Sequence, residues 1–559
     1  MADHFYGMPA RRNELHNTLM RPAPARVLTT FDAGYLIPLW DREMLPGETI
    51  EIDPSFIVRS QTPIHPVMDD AYLDIFCWYC PNRLVQDSWE KVMGGIKFDY
   101  WGDTTEKVVP KVTAGSNGFL QGSVADYFGL PIGVSGIEVN ALPFRMYALI
   151  GNEYVRDQNL QPPYACPTND TDVTSPTTLS DPVLDAYKGG SLIPMSRLPD
   201  YFSTCTPGPL KATNVVSIGL PDVPIVQIAP PTTVDTAGVF SPSWLYEAEP
   251  SEKPGRLSVD VAGKTLISGD GREPGVPGTY QVSTHSSLQP DRQMYLALQA
   301  ATSSVGISIN DFRFAVQLQK LLERDLFGTR YTEILKAHFG VTAQDSRLQR
   351  PELYGWRRFR LNQQQVAQTS ATGSTGTPQG NLSAYSLTVG AGGKWRVLSP
   401  EHGHVIICGC IRVKHSYSQG VERKWSRFAR YDFAWPEFIG LGNQPVYTKE
   451  IAVGLTGSNG VFGYQEYAAD YRYNRRIMTG EMRPDATGTL ASWHYGDYYQ
   501  TNAPQLNSTW IADHSKELID RTLAVTSASA NQFFGCFDFA TEVSTWLPMY
   551  SIPGYVDHF

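Results

Sequence analysis

The chain has 559 residues and a formal net charge of −10 at pH 7, which argues against a protein that coats nucleic acid over its whole surface, because such a protein is basic overall. Charged residues make up only 18% of the chain, and aromatic residues make up 12%. Since interface cores lose charge and gain aromatic side chains, this composition favours a chain that buries much of its surface against other chains.

Residues 1–30 form the first segment, which is polar and interrupted by prolines. Four arginines outnumber two acidic residues there, and they are Arg11, Arg12, Arg21 and Arg26. We predict an extended basic arm. The segment has no apolar core of signal-peptide length, so we expect no secretion signal. No run of 18 apolar residues occurs anywhere in the chain, so we expect no membrane insertion.

Three stretches rich in aromatic and β-branched residues follow a strand pattern. Residues 35–40 precede a turn at Pro46-Gly47, and residues 71–79 end just before Pro81. Residues 404–413 are apolar on both faces over their middle. Such runs, bounded by proline and glycine, predict buried strands.

Four stretches predict helices, and they lie in the connections between strand runs. Residues 310–325 place Phe314, Leu318, Leu321 and Leu322 on one face. The other three helices are predicted at 88–93, 142–157 and 331–339. Few helices among many strands predict a mainly β fold. We expect an eight-stranded antiparallel jelly-roll sandwich with long loop insertions.

Two segments interrupt this pattern. Proline, glycine, serine and threonine dominate residues 207–289, and the stretch at 362–381 is polar. A segment as long as residues 207–289 is too long to be an ordinary loop between two elements. We therefore expect residues 31–559 to form one jelly-roll domain, with a variable insertion at 207–289 and a flexible polar loop at 362–381.

Many short motifs, taken in their order along the chain, resemble those of the Microviridae major capsid proteins, particularly the gokushovirus branch. The most specific run begins with Gln319-Lys-Leu-Leu-Glu-Arg-Asp325 and continues through Gly328-Thr-Arg-Tyr-Thr-Glu-Ile334. Others are Phe31-Asp-Ala-Gly34, Pro81-Asn-Arg-Leu84, Asp126-Tyr-Phe-Gly-Leu-Pro131, Asn140-Ala-Leu-Pro-Phe-Arg145, Asp345-Ser-Arg-Leu-Gln-Arg-Pro-Glu352, Glu401-His-Gly403 and Val461-Phe-Gly-Tyr-Gln-Glu466.

The resemblance implies a structural subunit of a bacteriophage. Copies of it would form a homo-oligomeric T=1 icosahedral shell around circular single-stranded DNA. Implied partners are an internal scaffolding protein, a minor pilot protein, a small DNA-binding protein and a host surface receptor. The implied locations are the virion and, during assembly, the host cytoplasm. The insertion at 207–289 would form a protrusion at the threefold axes.

The residue patterns that could form a catalytic or metal-binding site give only weak signals. Cys77 and Cys80 have a CxxC spacing, but residues three apart on a strand point to opposite faces. On an extended strand, His404 and Cys408 lie about 13 Å apart, too far for one zinc ion. Asp69 and Asp70 are adjacent carboxylates at a strand entry. We therefore expect no catalytic residues, no metal site and no cofactor.

Basic residues interleaved with aromatic residues are the pattern that single-stranded nucleic acid requires. We predict DNA contacts at Trp356, Arg357, Arg358 and Arg360, and at the four arginines of the amino-terminal arm. Similar clusters occur at 423–430 and 471–476. The alternative is that the arginines of these clusters pair with acidic residues at subunit contacts, where arginine is enriched.

A second class of function remains open at this point. The tryptophans and tyrosines also suit a secreted β-sandwich carbohydrate-binding protein or glycoside hydrolase. That class predicts a secretion signal, a monomer, and paired carboxylates across a cleft. The size of the purified particle discriminates between the two.

Overall fold

The computed structural model describes residues 18–94, 107–209, 256–259, 266–269, 309–326, 330–367, 369, 380, 382–439 and 442–547. Arg11 and Arg12 lie outside the described residues, as do most of 207–289 and most of 362–381. The chain divides into two compact units. One unit comprises Met1–Thr213 and Lys320–Phe559, and the other comprises Asn214–Gln319.

Nineteen strands occur among the described residues, numbered along the chain. They are β1 Thr18–Met20, β2 Ala25–Phe31, β3 Ile37–Met44, β4 Thr49–Ser60, β5 Ala71–Pro81, β6 Lys111–Thr113, β7 Glu138–Asn140, β8 Val173–Thr174, β9 Arg256–Val259, β10 Leu266–Gly269, β11 Glu352–Arg360, β12 Gln363–Ala367, β13 Leu382–Ser386, β14 Thr388–Ala391, β15 Trp395–Leu398, β16 Gly403–Val413, β17 Gln444–Tyr447, β18 Val461–Gln465 and β19 Phe533–Thr545.

The α-helices of the described residues are mostly short. They are α1 Trp89–Val92, α2 Val124–Tyr127, α3 Leu142–Ile150, α4 Pro182–Asp185, α5 Ile309–Leu326, α6 Tyr331–Ile334, α7 Ser508–Ile511 and α8 Ser515–Asp520. A π-helical turn extends α3 over Gly151–Val155, and another extends α6 over Leu335–Phe339. All four predicted helices are therefore confirmed. Gly340, at a φ of 68°, ends the turn after α6 because glycine accepts this left-handed conformation.

Two antiparallel sheets form the sandwich. In the first sheet, β1 and β2 pair with different ends of β19, and β14 and β15 pair with different ends of β4. These six strands therefore occupy four positions. The second sheet has the order β11-β5-β16-β3. Numbering the eight positions along the chain gives 1-8-3-6 for the first sheet and 2-7-4-5 for the second, which is the order of a jelly roll. The predicted fold is confirmed.

The core between the two sheets comes from alternating strand residues. Along β4, the buried residues Ile50, Ile52, Phe56 and Val58 alternate with more exposed neighbours. Strand β19 alternates in the same way. Because successive side chains of a strand point to opposite faces, this alternation places one face of the first sheet on the core and the other toward solvent.

Unlike the first sheet, the second sheet is buried on both faces along its central strands β5 and β16. All residues of β16 are buried. Odd-numbered residues such as Val405 and Ile407 join the core between the sheets, whereas Ile406 and Cys408 join a second core. Helix α3 supplies Phe144 and other residues of that second core. Residues of this second core between Val85 and Met195 therefore cover the outer face of these central strands, which explains the apolar run at 404–413.

Several of the strands are not predicted from the sequence. The first predicted strand begins at residue 35, whereas residues 18–20 and 25–31, nearly all within the predicted arm, already belong to the first sheet. Residues 363–367, at the start of the polar stretch, pair with β13. The alternation in β4 and β19 is a local signal that identifies both strands.

Candidate nucleic-acid and subunit interfaces

Strand β11 carries four of the predicted DNA-contacting residues, at an edge of the second sheet. The indole of Trp356 is half-exposed. One of its neighbours is the ring of Phe76, with centroids 6.5 Å apart and an interplanar angle of 18°. The strand thus presents one aromatic surface on which an unpaired base can stack.

The three arginines of β11 all have partners in the same chain. Arg357 donates a hydrogen bond of 2.9 Å to a backbone carbonyl oxygen. Arg358 donates to both carboxylate oxygens of Asp74, at 2.7 and 2.9 Å. Arg360 pairs with Asp70 at 2.6 Å but keeps most of its side chain in solvent. Arg360 is therefore more accessible to a phosphate group than Arg358, whose side chain is 34% exposed.

Asp74 is fully buried and joins two arginines. Besides Arg358, it accepts a hydrogen bond of 2.6 Å from Arg412, whose side chain is 10% exposed. Removing one partner of a buried ion pair leaves an uncompensated charge in a medium of low dielectric constant. This arrangement therefore binds β5, β11 and β16 together, and it gives Arg358 a structural role.

The other two described candidates are Arg21, just after β1, and Arg26, on β2. Arg21 pairs with Glu542 at 3.1 Å, and Arg26 pairs with Asp538 at 2.7 Å. Both arginine side chains are mostly exposed. Because solvent screens such pairs, they are weak and can be exchanged for contacts with phosphate groups.

Two basic and aromatic clusters that are far apart in the sequence meet in the fold. Residues 422–424 and 427 line one cleft of about 410 Å³ together with residues 470, 471, 473–475 and 477. In it, the guanidinium of Arg427 lies 4.1 Å from the ring centroid of Tyr471 and pairs with Asp470. Arg475 donates to backbone carbonyl oxygens of Tyr417 and Gly420, and burial lowers its pKa.

Three arginines of these two clusters form close ion pairs within the chain. The pairs are Arg427 with Asp470, Arg472 with Glu466, and Arg476 with Asp69. The alternative interpretation expected acidic partners across subunit contacts, whereas the structure supplies these carboxylates from the same chain. The carboxylates of Glu422, Glu450 and Asp470 also line the cleft and repel a phosphate group, so the cleft is a poor phosphate-binding site.

A buried histidine forms a network that sequence reasoning missed. The Nδ1 atom of His415 lies 3.0 Å from a carboxylate oxygen of Asp497, and its Nε2 atom lies 3.3 Å from Asp513. Arg197 lies 3.3 Å from Asp497. Long stretches of chain separate these four residues, so no local pattern identifies the network.

Electrostatics keep this network charged. Burial and Arg197 favour the neutral imidazole, but Asp497 and Asp513 outweigh both and raise the pKa of His415 to about 9. Burial alone would raise the pKa of Asp497, yet His415 and Arg197 lower it to about 2. The network therefore holds the segments around 197, 415, 497 and 513 together through charge.

The cysteines belong to the cores. Cys77 lies in the core between the sheets and Cys80 in the second core, so the two thiols point apart, as predicted from their spacing. All seven cysteines are free. Within the described ranges, no group of three or more His, Cys, Asp or Glu side chains is arranged to hold a metal ion. No helix in the described part of the chain is long and apolar enough to span a membrane.

Comparisons with known proteins agree with the fold. The family model of the capsid protein (F protein) matches residues 18–555. Capsid protein VP1 of Chlamydia phage 1 is 35% identical, over 94% of each chain. The VP1 of Bdellovibrio phage phiMH2K is 36% identical, over 95% of this chain and 94% of the relative. The VP1 of Spiroplasma virus 4 is 34% identical, over 98% and 96%.

These matches cover nearly the whole chain, and they do not support the carbohydrate-binding or hydrolase alternative. They confirm the resemblance to Microviridae capsid proteins that the motifs indicate. The chain therefore belongs to the phage capsid protein (F protein) family, and it is a structural subunit of a virion rather than an enzyme.

Proposed function

We propose that copies of this chain form a small T=1 icosahedral shell around circular single-stranded DNA. The observation that carries the proposal is the jelly-roll order of the two sheets, in a chain that matches the capsid family over nearly its whole length. Because the facing sides of the two sheets pack closely against each other, the sandwich is a rigid unit suited to forming a shell. Its long connections leave room for contacts with neighbouring copies.

Electron microscopy and sedimentation of the purified chain test this proposal. We expect closed particles of megadalton mass and uniform diameter with T=1 symmetry. A folded chain of 62.1 kDa that stays monomeric at every concentration would contradict it. Shells of higher triangulation number would contradict the T=1 assignment alone.

For DNA contact, we propose the arm with Arg11, Arg12, Arg21 and Arg26, together with β11. Two observations support the arm: it carries four arginines near one end of the chain, and the pairs made by Arg21 and Arg26 are exposed. On β11, the support comes from the half-exposed indole of Trp356 and the exposed guanidinium of Arg360. Arg357 and Arg358 are the weaker members of this set because their guanidinium groups are partly buried against protein acceptors.

Charge reversal tests the arm. In the double variant Arg11→Glu and Arg12→Glu, we expect well-formed particles with less DNA. The slope of log K against log salt for DNA binding should become shallower by about 0.7 for each phosphate group that the variant no longer neutralises. Lys111→Glu is the control, since Lys111 is an exposed base on β6 and paired with Glu138. Unchanged DNA content in intact particles would remove the arm as a DNA contact.

The remaining partners are proposals that the membership of the capsid family supports. We propose that assembly occurs in the host cytoplasm with an internal scaffolding protein, and that the particle also holds a pilot protein and a small DNA-binding protein. The insertion at 207–289 is proposed to meet the host receptor. Particles in which the insertion at 207–289 is shortened should stay intact but should no longer adsorb to host cells. Normal adsorption by such particles would contradict this role.

A further inference from the structure

Residues 422–439, here called the aromatic arm, expose large apolar side chains to solvent. The segment contains three short 3-10 turns and no strand. Its exposed side chains are Trp425 at 70%, Phe428 at 90%, Tyr431 at 69%, Phe433 at 51% and Ile439 at 74%. Large apolar side chains are ordinarily buried in the core of a protein, whereas these five are exposed on the subunit.

Internal hydrogen bonds hold the aromatic arm in one conformation. The backbone N–H groups of Phe428 and Ala429 both donate to one carboxylate oxygen of Asp432, at 2.9 and 2.8 Å. The indole N–H of Trp435 donates to the carbonyl oxygen of Arg430 at 3.0 Å. The guanidinium of Arg430 also lies 4.8 Å from the ring centroid of Trp435. The exposed aromatic side chains therefore project from a backbone that is already ordered before any partner binds.

The aromatic arm is also tied to the body of the subunit. The backbone N–H of Trp435 donates to the hydroxyl of Tyr467 at 2.9 Å, and that of Ala434 donates to the hydroxyl of Tyr471 at 3.3 Å. Preorganisation of this kind lowers the entropic cost of binding, because few rotatable groups become ordered in the complex.

The exposed area matches one side of a protein interface. An aromatic side chain buries about 150–250 Å², so the exposed fractions of the four aromatic residues correspond to roughly 400–700 Å². The largest apolar patch on a typical monomer is about 300–600 Å². A standard interface buries about 800 Å² on each partner. With Ile439 and the flanking backbone, the aromatic arm is large enough to form most of such a contact.

Charge and composition indicate a protein partner. The segment has four basic and three acidic residues: Arg423, Lys424, Arg427 and Arg430 against Glu422, Asp432 and Glu437. Arg427 and Lys424 are already paired with carboxylates. This nearly neutral surface gives little attraction for phosphate. Aromatic residues and arginine are the types enriched at protein interfaces.

We infer that the aromatic arm is a contact between subunits and docks on a second copy of this chain. A shell subunit is surrounded by identical copies, so such a copy is the protein that this surface meets in the particle. The inference rests on the shell function. It assigns the contact to the aromatic arm, whose most exposed large apolar side chains are Trp425, Phe428 and Ile439.

The triple variant Trp425→Ser, Phe428→Ser and Ile439→Ser tests the inference in the full chain. These side chains are exposed, so the melting temperature of the dissociated subunit should stay that of the wild type. The concentration at which the subunit self-associates, followed by sedimentation velocity, should rise at least about 10-fold, because central aromatic anchors carry most of the binding energy. Phe339→Ser is the matched control, since Phe339 is 72% exposed and lies outside the aromatic arm.

The outcomes separate this inference from the shell function. A variant that stays folded and assembles at the wild-type concentration would overturn the docking role while leaving the shell function intact. Normal shells that lose only infectivity would assign the aromatic arm to a host surface instead, and they too would overturn the inference. A wild-type chain that never self-associates would contradict the shell function and the inference together.

Discussion

At the scale of single residues, the buried charges are the most consequential feature of this subunit. Asp74 lies between Arg358 and Arg412, and His415 lies between Asp497 and Asp513. Each carboxylate is compensated by a cation from a distant part of the chain. Such groups contribute specificity to the fold because any other packing leaves a buried charge without a partner.

Replacement of Asp74 tests its role. Asp74→Asn removes the anion that Arg412 and Arg358 share, so we expect the free energy of unfolding to fall by about 3–5 kcal/mol. Denaturant unfolding of the dissociated subunit, followed by circular dichroism, measures this change. Asp538→Asn is the control, because its partner Arg26 is exposed, and it should change stability little. An equally small loss for both variants would show that the buried pair is unimportant.

The charged network around His415 predicts a dependence of stability on pH. The pKa of His415 is raised to about 9 in the folded chain, from an ordinary value of 6.5. The contribution of protonated His415 to the free energy of unfolding is therefore complete below pH 6.5 and is lost as the pH rises through 9. The free energy of unfolding should fall by up to ~3 kcal/mol across this window.

The variant His415→Gln isolates this effect. It should be less stable than the wild type near neutral pH, and it should lack the decline between pH 6.5 and 9. Unfolding curves at a series of pH values measure both properties. Identical pH profiles for the two proteins would show that His415 does not gain its proton on folding.

At the scale of elements, close contacts between strands fix the sandwich. Strand β11 has a register irregularity between Leu353 and Gly355, where it pairs with β5. A side chain at Gly355 would meet the buried indole of Trp395 on β15. The absence of a Cβ atom there lets an edge strand of one sheet approach an edge strand of the other.

Gly355→Ala should therefore destabilise the sandwich. The added Cβ would lie 2.4 Å from the nearest indole atom of Trp395, and overpacking of this kind costs about 1–3 kcal/mol. Thermal denaturation measures the loss. Gly460→Ala is the matched control, since the nearest atom to its Cβ would lie 3.6 Å away. A neutral Gly355→Ala variant would mean that the two strands separate at little cost.

At the scale of the whole molecule, the cores exclude water from most of the thiols. Five of the seven cysteines are buried, and the half-buried ones are Cys166 and Cys536. Burial raises the pKa of Cys166 to about 11, which suppresses its reactive thiolate. Reactivity of the five buried cysteines with a thiol reagent is therefore a measure of unfolding.

We expect slow labelling of the native subunit, first at Cys536 and then at Cys166, and labelling of all seven thiols only after unfolding. Mass spectrometry of the dissociated subunit treated with a maleimide counts the modified sites. Reducing agent should not shift the melting temperature, because all seven cysteines are free. Rapid modification of the five buried thiols in the native state would show that the cores open easily.

Much of this architecture follows from local patterns in the sequence. The runs at 71–79 and 404–413 predict buried strands, and the 3.6-residue periodicity predicts helices such as 310–325, because both signals come from neighbouring residues. The order of short motifs also indicates the family. For the same reason, the diverging faces of Cys77 and Cys80 are predictable from their spacing alone.

Only the tertiary structure decided which distant residues meet. It pairs β2 near one end of the chain with β19 near the other, joins Asp74 to Arg358 and Arg412, and gathers the network around His415. It also distinguishes the exposed residues Trp356 and Arg360 from the ion-paired Arg358, and leaves the aromatic arm uncovered. Periodicity reports which face of an element is buried, but the partner on that face depends on packing across hundreds of residues, which no local pattern contains.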